Sequence, residues 1–336
     1  MISIAIAGCA HIHTPGFVKM IKARPQEVRV RRVWDHDQAR GSKTAIEFGP
    51  DTAVASDVYD VWNDPQIQAV VICCETDRHE ALVKQATDAR KDIFVEKPLG
   101  LGAKDAFAMA DAIERSGVRF QTGYMSRGWP PILFLREHVN KGSFGKITRA
   151  RGSNCHSGAL GGWFDTEWRW MADVKQAGCG AFGDLGTHSL DILLWLFGEV
   201  ESVVATLDNG TARYPGCDET GEGILRFKNG VIGTIAAAWD DVSNPLQYLI
   251  SGTEGCAAII NEELYFTCKK LGFDGKSPIT STQMPKGWPH AFELFLDAVA
   301  GKDVPLVGAR EAAYRSAVME AMYQSASRKA WVSPTI

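Results

Sequence analysis

The chain has 336 residues, of which 45% are hydrophobic and 23% charged, and its formal net charge is −4 at pH 7. This composition is typical of a globular enzyme, it offers no basic stripe for nucleic acid, and no apolar run reaches the roughly 18 residues that span a bilayer. We therefore expect neither a nucleic-acid nor a membrane partner, and a length that suits two domains.

Strand and helix signals alternate over the first 120 or so residues. The predicted strands are 2–7, 28–34, 69–74, 93–95 and 119–121, and the predicted helices are 16–23, 38–48, 78–89 and 103–116. The run 69–74 is continuously apolar, which indicates a strand that is covered on both faces. Repeated units of this kind predict a parallel sheet with right-handed crossovers.

The second half of the chain has a different order of predicted strands and helices. A strand is predicted over 147–154 and a strong helix over 180–196, followed by strands at 202–207, 223–227, 231–239, 247–251 and 257–260 and by helices at 290–300 and 310–327. Asn229-Gly230 is a hairpin signal between two of these strands. The pattern predicts an open, mostly antiparallel sheet, with the boundary between the domains near residues 122–127.

The turn after the first strand resembles a degraded dinucleotide fingerprint. Gly8 occupies the first glycine position of G-x-G-x-x-G and the small residue Ala10 occupies the second, but His13 stands where the third glycine belongs. Asp35 ends the second strand, where a carboxylate accepts from the ribose hydroxyls of NAD and repels the 2′-phosphate of NADP. A plain strand-to-helix turn without a ligand is the alternative. His11 and His13 have a metal-like spacing, but no further ligand follows nearby, and no metal is expected.

Lys97 lies in the tripeptide Glu96-Lys97-Pro98, directly after the predicted strand 93–95. Parallel strands present their C-terminal ends to the ligand crevice, and Pro98 stops the strand there. The lysine is therefore placed to meet a substrate. A solvated lysine with a local glutamate partner is the alternative.

Asp184, His188 and Asp191 are spaced four and three residues apart in a glycine-rich helical segment. This spacing puts the three side chains on one helix face, where carboxylates can orient an imidazole and tune its proton affinity. A helix-capping network is the alternative.

Glu96-Lys97-Pro98, followed about ninety residues later by the D-x-x-x-H-x-x-D helix, resembles the Gfo/Idh/MocA oxidoreductase family, of the glucose–fructose oxidoreductase and inositol dehydrogenase type. The resemblance extends over nearly the whole chain. It implies an NAD-binding Rossmann domain over residues 1–123 and a substrate-binding and oligomerisation α/β domain over residues 124–336. The implied activity is hydride transfer between a secondary alcohol of a sugar, inositol or related polyol and NAD, with NADP disfavoured.

The resemblance also implies roles for particular residues. Lys97 and His188 match the active-site lysine and histidine, with His188 as general base and Asp184 orienting it. We expect the cofactor to contact residues at the strand ends, namely Gly8, Ala10, His11, Ile12, Asp35, Cys74, Glu75, His79, Glu96 and Pro98. We expect the substrate to meet aromatic and polar side chains, namely Tyr124, Arg127, Trp163, Trp168 and Arg169, although aromatic residues of this kind also pack in cores.

Two other functions remain open at this stage. One is a redox-neutral enzyme that cleaves glycosides through transient oxidation by NAD, and the other is a non-catalytic regulator that binds a dinucleotide. The eight cysteines form no C-x-x-C pair, so free thiols in a cytoplasmic protein are expected. The family resemblance further implies a homo-dimer or homo-tetramer.

Overall fold

The first part of the chain folds into a parallel α/β sheet in the computed structural model, which describes all 336 residues. Its elements are β1 (Ile2–Ala7), α1 (Thr14–Lys22), β2 (Val28–Trp34), α2 (Gln38–Phe48), β3 (Ala53–Val54), α3 (Tyr59–Trp62), β4 (Ala69–Ile72), α4 (His79–Asp88), β5 (Asp92–Val95), α5 (Ala103–Ser116) and β6 (Phe120–Thr122). The six strands are parallel, in the order β3-β2-β1-β4-β5-β6. The predicted parallel sheet is confirmed, and only two short elements, β3 and α3, lacked a sequence signal.

The strand order reverses between β1 and β4, which are neighbours in the sheet but are followed by connections that run in opposite directions. Open α/β sheets bind ligands in the crevice that this reversal leaves at the C-terminal strand ends. The loops after β1, β2, β4 and β5 therefore surround one crevice. All four residues of β4 are buried, because the sheet is covered on both faces.

The second part of the chain forms an eight-stranded mixed sheet. Its elements are α6 (Pro130–Asn140), β7 (Ile147–Cys155), α7 (Gly158–Gly161), α8 (Val174–Ala177), α9 (Ala181–Phe197), β8 (Val200–Asp208), β9 (Thr220–Phe227), β10 (Ile232–Ala238), β11 (Leu246–Gly252), β12 (Cys256–Ile260), β13 (Glu263–Cys268), β14 (Phe273–Asp274), α10 (Ala291–Val299) and α11 (Ala309–Arg328). The strand order is β14-β13-β12-β11-β7-β10-β9-β8. All neighbours are antiparallel except β7 and β10, as the prediction of a mostly antiparallel sheet requires.

Helix α9 lies across β7 and β10 on one face of this sheet. Glycine permits the close approach, because a Cβ on Gly186 would lie 3.4 Å from the Cβ of Ala237 in β10. Fourteen of the 17 residues of α9 are buried. The helix is therefore held in a fixed position, and its N-terminal turn faces the crevice of the first sheet through Asp184.

The end of the chain returns to the first sheet. Phe292 of α10 packs against Phe17 and Phe94, with ring centroids 4.5 Å and 5.1 Å apart. Phe295 belongs to the same cluster and is fully buried, and α11 packs on α5. The predicted boundary after residue 123 follows β6 directly, but residues 291–313 pack with the first unit, so 124–336 is not one continuous packing unit.

None of the helices combines the length and the apolarity that a membrane span requires. All eight cysteines are free thiols, and six of them are buried. Buried cysteine side chains of this kind behave as small apolar groups.

We predict that Phe295→Ala lowers the free energy of unfolding by about 3–5 kcal/mol, because it removes a fully buried aromatic side chain from the core beneath the first sheet. Urea denaturation measures the change, and hydrogen exchange of the β1 and β5 amides locates it. The exposed Val242→Ala serves as control and should stay within about 0.5 kcal/mol of the parent. Unchanged protection of β1 and β5 in Phe295→Ala would contradict the packing described here.

Candidate active site

Lys97 lies at the C-terminal end of β5 and reaches across to the second unit. Its Nζ donates to Asp184 Oδ1 at 2.5 Å and to the Asp184 carbonyl oxygen at 3.3 Å. The side chain is only 3% exposed. The strand end therefore presents its ammonium to the first turn of α9.

Asp184 has a second partner, because its Oδ2 accepts from Trp239 Nε1 at 3.1 Å. Trp239 follows β10 and is fully buried. Burial opposes the charged carboxylate, but the Lys97 ammonium outweighs it and holds the pKa of Asp184 well below its usual range. Burial likewise opposes the charged lysine, but Asp184 and then Glu96 raise the pKa of Lys97 above its ordinary value. Both groups are charged at neutral pH.

This arrangement corrects one predicted role. Asp184 was expected to orient His188, which lies one helical turn further along α9. In the structure both carboxylate oxygens of Asp184 are engaged elsewhere, with Lys97 and Trp239. Asp184 therefore positions the lysine, because the donors nearest to its carboxylate in space are Lys97 and Trp239 and not the helical neighbour His188.

His188 is 8% exposed, and its imidazole makes no hydrogen bond within the protein. Its ring stands perpendicular to that of Tyr124, with centroids 6.2 Å apart. Burial, and next the positive charge of Lys97, lower the pKa of His188 to about 3. The imidazole is therefore neutral, with a nitrogen free to accept a proton or a hydrogen bond, beside a lysine that is charged.

Two residues predicted to bind substrate are instead buried beneath α9. Arg127 donates from Nε and Nη2 to the two oxygens of Asp191, at 2.9 and 2.6 Å, and from Nη1 to Glu311. Arg315 donates to the same Asp191. Tyr124 is 2% exposed, and its hydroxyl shares a hydrogen bond with Thr187. These contacts correct the prediction, because they anchor α9 and leave neither polar group free for a substrate.

Arg127 also lines a cavity of about 290 Å³, together with Tyr124, Arg136, Trp195 and Trp288. None of Lys97, Asp184 and His188 lines this cavity. These three residues therefore do not border the cavity, although Tyr124, whose ring lies against that of His188, does.

The tryptophan-rich segment before α9 divides into exposed and buried parts. Trp163 is 44% exposed and stacks on His156, with ring centroids 4.7 Å apart. Arg169 is exposed and pairs with Asp165, whereas Trp168 is half-buried and packs against the core of the second unit. Sequence reasoning gave no role to Trp170, whose Nε1 donates to the Ala10 carbonyl at 3.1 Å and so ties this segment to the loop after β1.

The loop after β1 contains a position that only glycine can occupy. Gly8 has φ +91°, and a Cβ there would lie 2.4 Å from the Cβ of Cys74. The next amide, that of Cys9, donates to Asp35 Oδ2 at 2.6 Å. The turn is thus fixed against the ends of β2 and β4, even though Ala10 and His13 replace the second and third glycines of the usual fingerprint.

Asp35 carries more partners than the sequence indicates. Arg40 donates from Nε and Nη2 to both of its oxygens, each at 2.8 Å, and Arg40 Nη2 also donates to Glu75 Oε1 at 3.0 Å. The other oxygen of Glu75, Oε2, is buried without a hydrogen-bond partner. The free acceptor at this end of the crevice is therefore on Glu75, while Asp35 is occupied by Arg40.

Two residues predicted to contact the cofactor are part of the scaffold. Cys74 is fully buried beneath Gly8. His79 is 1% exposed, and its Nδ1 lies 3.1 Å from the Leu99 carbonyl, which fixes the segment after the cis Lys97–Pro98 peptide bond. This corrects the prediction for both residues, because their side chains face the interior.

Glu96 lies close to His11 and His13 at another part of the crevice. The glutamate is fully buried, and its Oε1 lies 3.0 Å from His13 Nδ1 and 4.0 Å from His11 Nδ1. Burial lowers the pKa of His11 to about 3, so this imidazole is neutral. Sequence spacing did not link Glu96 to the histidines, because the residues come from different strand ends.

Comparison with known proteins identifies the family of the chain. Residues 2–124 match the family model described as oxidoreductase family, NAD-binding Rossmann fold, and residues 132–258 match the GFO/IDH/MocA C-terminal domain. The levoglucosan dehydrogenase of Pseudarthrobacter phenanthrenivorans is 27% identical over 64% of this chain and 60% of its own. The scyllo-inositol 2-dehydrogenase (NAD(+)) of Bacillus subtilis is 29% identical over 66% and 64%. The matches thus span less than two thirds of either relative.

A solved structure of levoglucosan dehydrogenase in complex with NADH and levoglucosan superimposes with a TM-score of 0.82 over 99% of both chains. At 21% identity this likeness shows the fold alone. The two family models are consecutive and together cover most of the chain, including the strand end of Lys97 and the helix of Asp184 and His188. The chain belongs to the Gfo/Idh/MocA oxidoreductase family, and its N-terminal domain is an NAD-binding Rossmann fold.

Proposed function

We propose that the protein is an NAD-dependent oxidoreductase that transfers a hydride between a secondary alcohol of a sugar, inositol or related polyol and nicotinamide. The observation that carries the proposal is the buried Lys97–Asp184 contact with the neutral imidazole of His188 one turn away. Oxidation of an alcohol requires loss of a hydride and of a proton, so a cationic donor and a neutral acceptor side by side suit this reaction.

The crevice fits a dinucleotide at two points. Gly8 allows the backbone turn that lets a pyrophosphate approach the start of α1. Glu75 Oε2 is a buried acceptor without a hydrogen bond, although Arg78 Nε lies 3.6 Å away, and it stands at the edge where a ribose hydroxyl donates in this fold. The two carboxylates of Glu75 and Asp35 would repel a 2′-phosphate, which supports NAD over NADP, although Arg40 lies between them.

Bound NAD supplies the hydride acceptor at its nicotinamide ring. Lys97, held by Asp184, donates a hydrogen bond to the reacting oxygen and stabilises the negative charge that develops there. His188 accepts the hydroxyl proton, and in the reverse direction the same groups return it. Because Lys97 comes from the first unit and His188 from the second, the substrate binds between the two units.

The substrate class is supported by the surroundings of this pair. Trp163, stacked on His156, offers an exposed aromatic face, and such faces pack on the apolar C–H surfaces of sugar rings. Arg169 and Asp165 add exposed polar groups beside it. The family relatives named above act on levoglucosan and scyllo-inositol according to their names, which agrees with a cyclic polyol.

We further infer a cytoplasmic homo-oligomer. The face of the second sheet opposite α9 is uncovered and carries exposed apolar side chains, with Ile224 at 40% and Ile232 at 53% exposure. An apolar sheet face of this kind is suited to pairing with a second copy. The eight free thiols agree with a reducing compartment.

Lys97→Ala should lower kcat/KM by about 10³-fold, because it removes the donor to the developing oxyanion, while NADH binding measured by fluorescence stays roughly unchanged. Turnover is measured with levoglucosan and inositols as substrates and NAD as oxidant. The exposed Lys104→Ala is the matched control. Full activity in Lys97→Ala would remove the lysine from the mechanism. Glycoside cleavage without net NADH formation would replace the proposal by the redox-neutral alternative, and no turnover of any substrate would favour a regulator.

Glu75→Gln should raise the affinity for NADPH relative to NADH by roughly tenfold, because it removes a carboxylate that opposes the 2′-phosphate. Fluorescence titration with each reduced dinucleotide gives the ratio. Glu80→Gln, a surface carboxylate paired with Lys84 on α4, should leave the ratio unchanged. A parent protein that already prefers NADPH would overturn the assignment of NAD.

A further inference from the structure

Three potential metal ligands meet where the loop after β1 faces the end of β5. His11 and His13 come from the loop, and Glu96 comes from the strand end, 83 residues further along the chain than His13. One ligand atom from each residue lies within 4.8 Å of the others. The residues are brought together because β1 and β5 end at the same edge of the parallel sheet, with β4 between them.

The distances suit a shared ion. Glu96 Oε1 is 3.0 Å from His13 Nδ1 and 4.0 Å from His11 Nδ1. Two ligands that bind one metal at about 2.0–2.2 Å lie roughly 3–3.5 Å apart in tetrahedral geometry. Small side-chain rotations therefore bring all three atoms into range. Binding through His11 Nδ1 would replace its 3.2 Å hydrogen bond from the His13 amide.

The charge of Glu96 also points to a cation. The carboxylate is fully buried and feels the charge of Lys97, but no lysine or arginine forms a direct ion pair with it, because the Lys97 ammonium contacts Asp184 instead. Its partners are the Lys97 amide, which donates to Oε2 at 2.9 Å, and the two imidazoles. A buried carboxylate without a directly contacting cation is costly, and a bound metal ion would neutralise it.

We propose that His11, His13 and Glu96 bind one divalent transition metal ion of the Zn²⁺ type. Two imidazoles and one carboxylate favour zinc or a neighbouring first-row metal, whereas Mg²⁺ and Ca²⁺ prefer sites built entirely from oxygen. The Lys97 amide that holds Glu96 Oε2 orients the carboxylate from behind, as outer-shell contacts do in metal sites. Three protein ligands leave a coordination position open. The metal site lies beside Lys97 of the candidate active site, so its ion would be accessible from the crevice.

The ligand set explains why His13 stands in place of the third fingerprint glycine. A glycine there would leave the carboxylate of Glu96 without its 3.0 Å partner. His13 is also the most accessible of the three, with its side chain 31% exposed, so it provides the route by which an ion enters.

The test uses the full-length, tag-free protein after treatment with a chelator. Calorimetric titration with Zn²⁺ should give one ion per chain. Co²⁺ should bind at the same stoichiometry and should show the visible absorption of a metal ion with a low coordination number. His13→Gln keeps a hydrogen-bond donor toward Glu96 but removes the imidazole, and it should weaken binding by about 100-fold or more, since even outer-shell partners contribute 10–100-fold. His11→Ala should have a similar effect.

His138→Ala is the matched control, because His138 lies on α6 with Ser143 as its partner, in the second unit. It should bind Zn²⁺ as tightly as the parent protein. Circular dichroism and thermal unfolding establish that each variant is folded. Absence of stoichiometric binding in the parent, or equal affinity in His13→Gln, would overturn the proposal, and neither result depends on the reaction that the enzyme catalyses.

Discussion

The ion pair between Lys97 and Asp184 is the contact on which the candidate active site depends. It joins the end of β5 in the first unit to the first turn of α9 in the second, and both side chains lie almost entirely out of water. Either charge alone would cost several kcal/mol to bury. The pair therefore exists only when the two units are docked, and the docked geometry in turn decides what the lysine faces.

The ion pair also sets different protonation states for Lys97 and His188. Asp184 keeps Lys97 charged, and Lys97 in turn helps to keep His188 neutral. The raised pKa of Lys97 contributes stability that is present below the unfolded value of about 10.4 and is lost as the pH rises through the folded value. The lowered pKa of Asp184 contributes stability that is present above about 3.9 and is lost as the pH falls. The arrangement of donor and acceptor thus persists from roughly pH 4 to pH 10.

Much of this fold could be predicted from the sequence because its signals are local. The continuous apolar run of β4, the hairpin at Asn229-Gly230 and the helix over Ala181–Phe197 follow from hydrophobic pattern and turn chemistry. The position of Lys97 at a strand end likewise follows from Pro98 and the parallel sheet.

The partners of the site residues could not be predicted, because they depend on how distant segments dock. Helical spacing suggested that Asp184 serves His188, whereas its contacts are Lys97 and Trp239, at separations of 87 and 55 residues. Arg127 follows β6, and its position in the sequence suggested that it faces the crevice. In the structure it instead forms an ion pair with the buried carboxylate of Asp191. Glu96 completes a ligand cluster with His11 and His13 only because β1 and β5 end together.

The most direct test is the titration of the Lys97 side chain by NMR in protein with isotopically labelled lysine, with the resonance assigned by its loss in Lys97→Arg. The account predicts a pKa above the ordinary lysine value in the parent protein and a clear fall in Asp184→Asn, where the neighbouring negative charge is gone. A parent pKa at or below the ordinary value, or one that Asp184→Asn leaves unchanged, would contradict it.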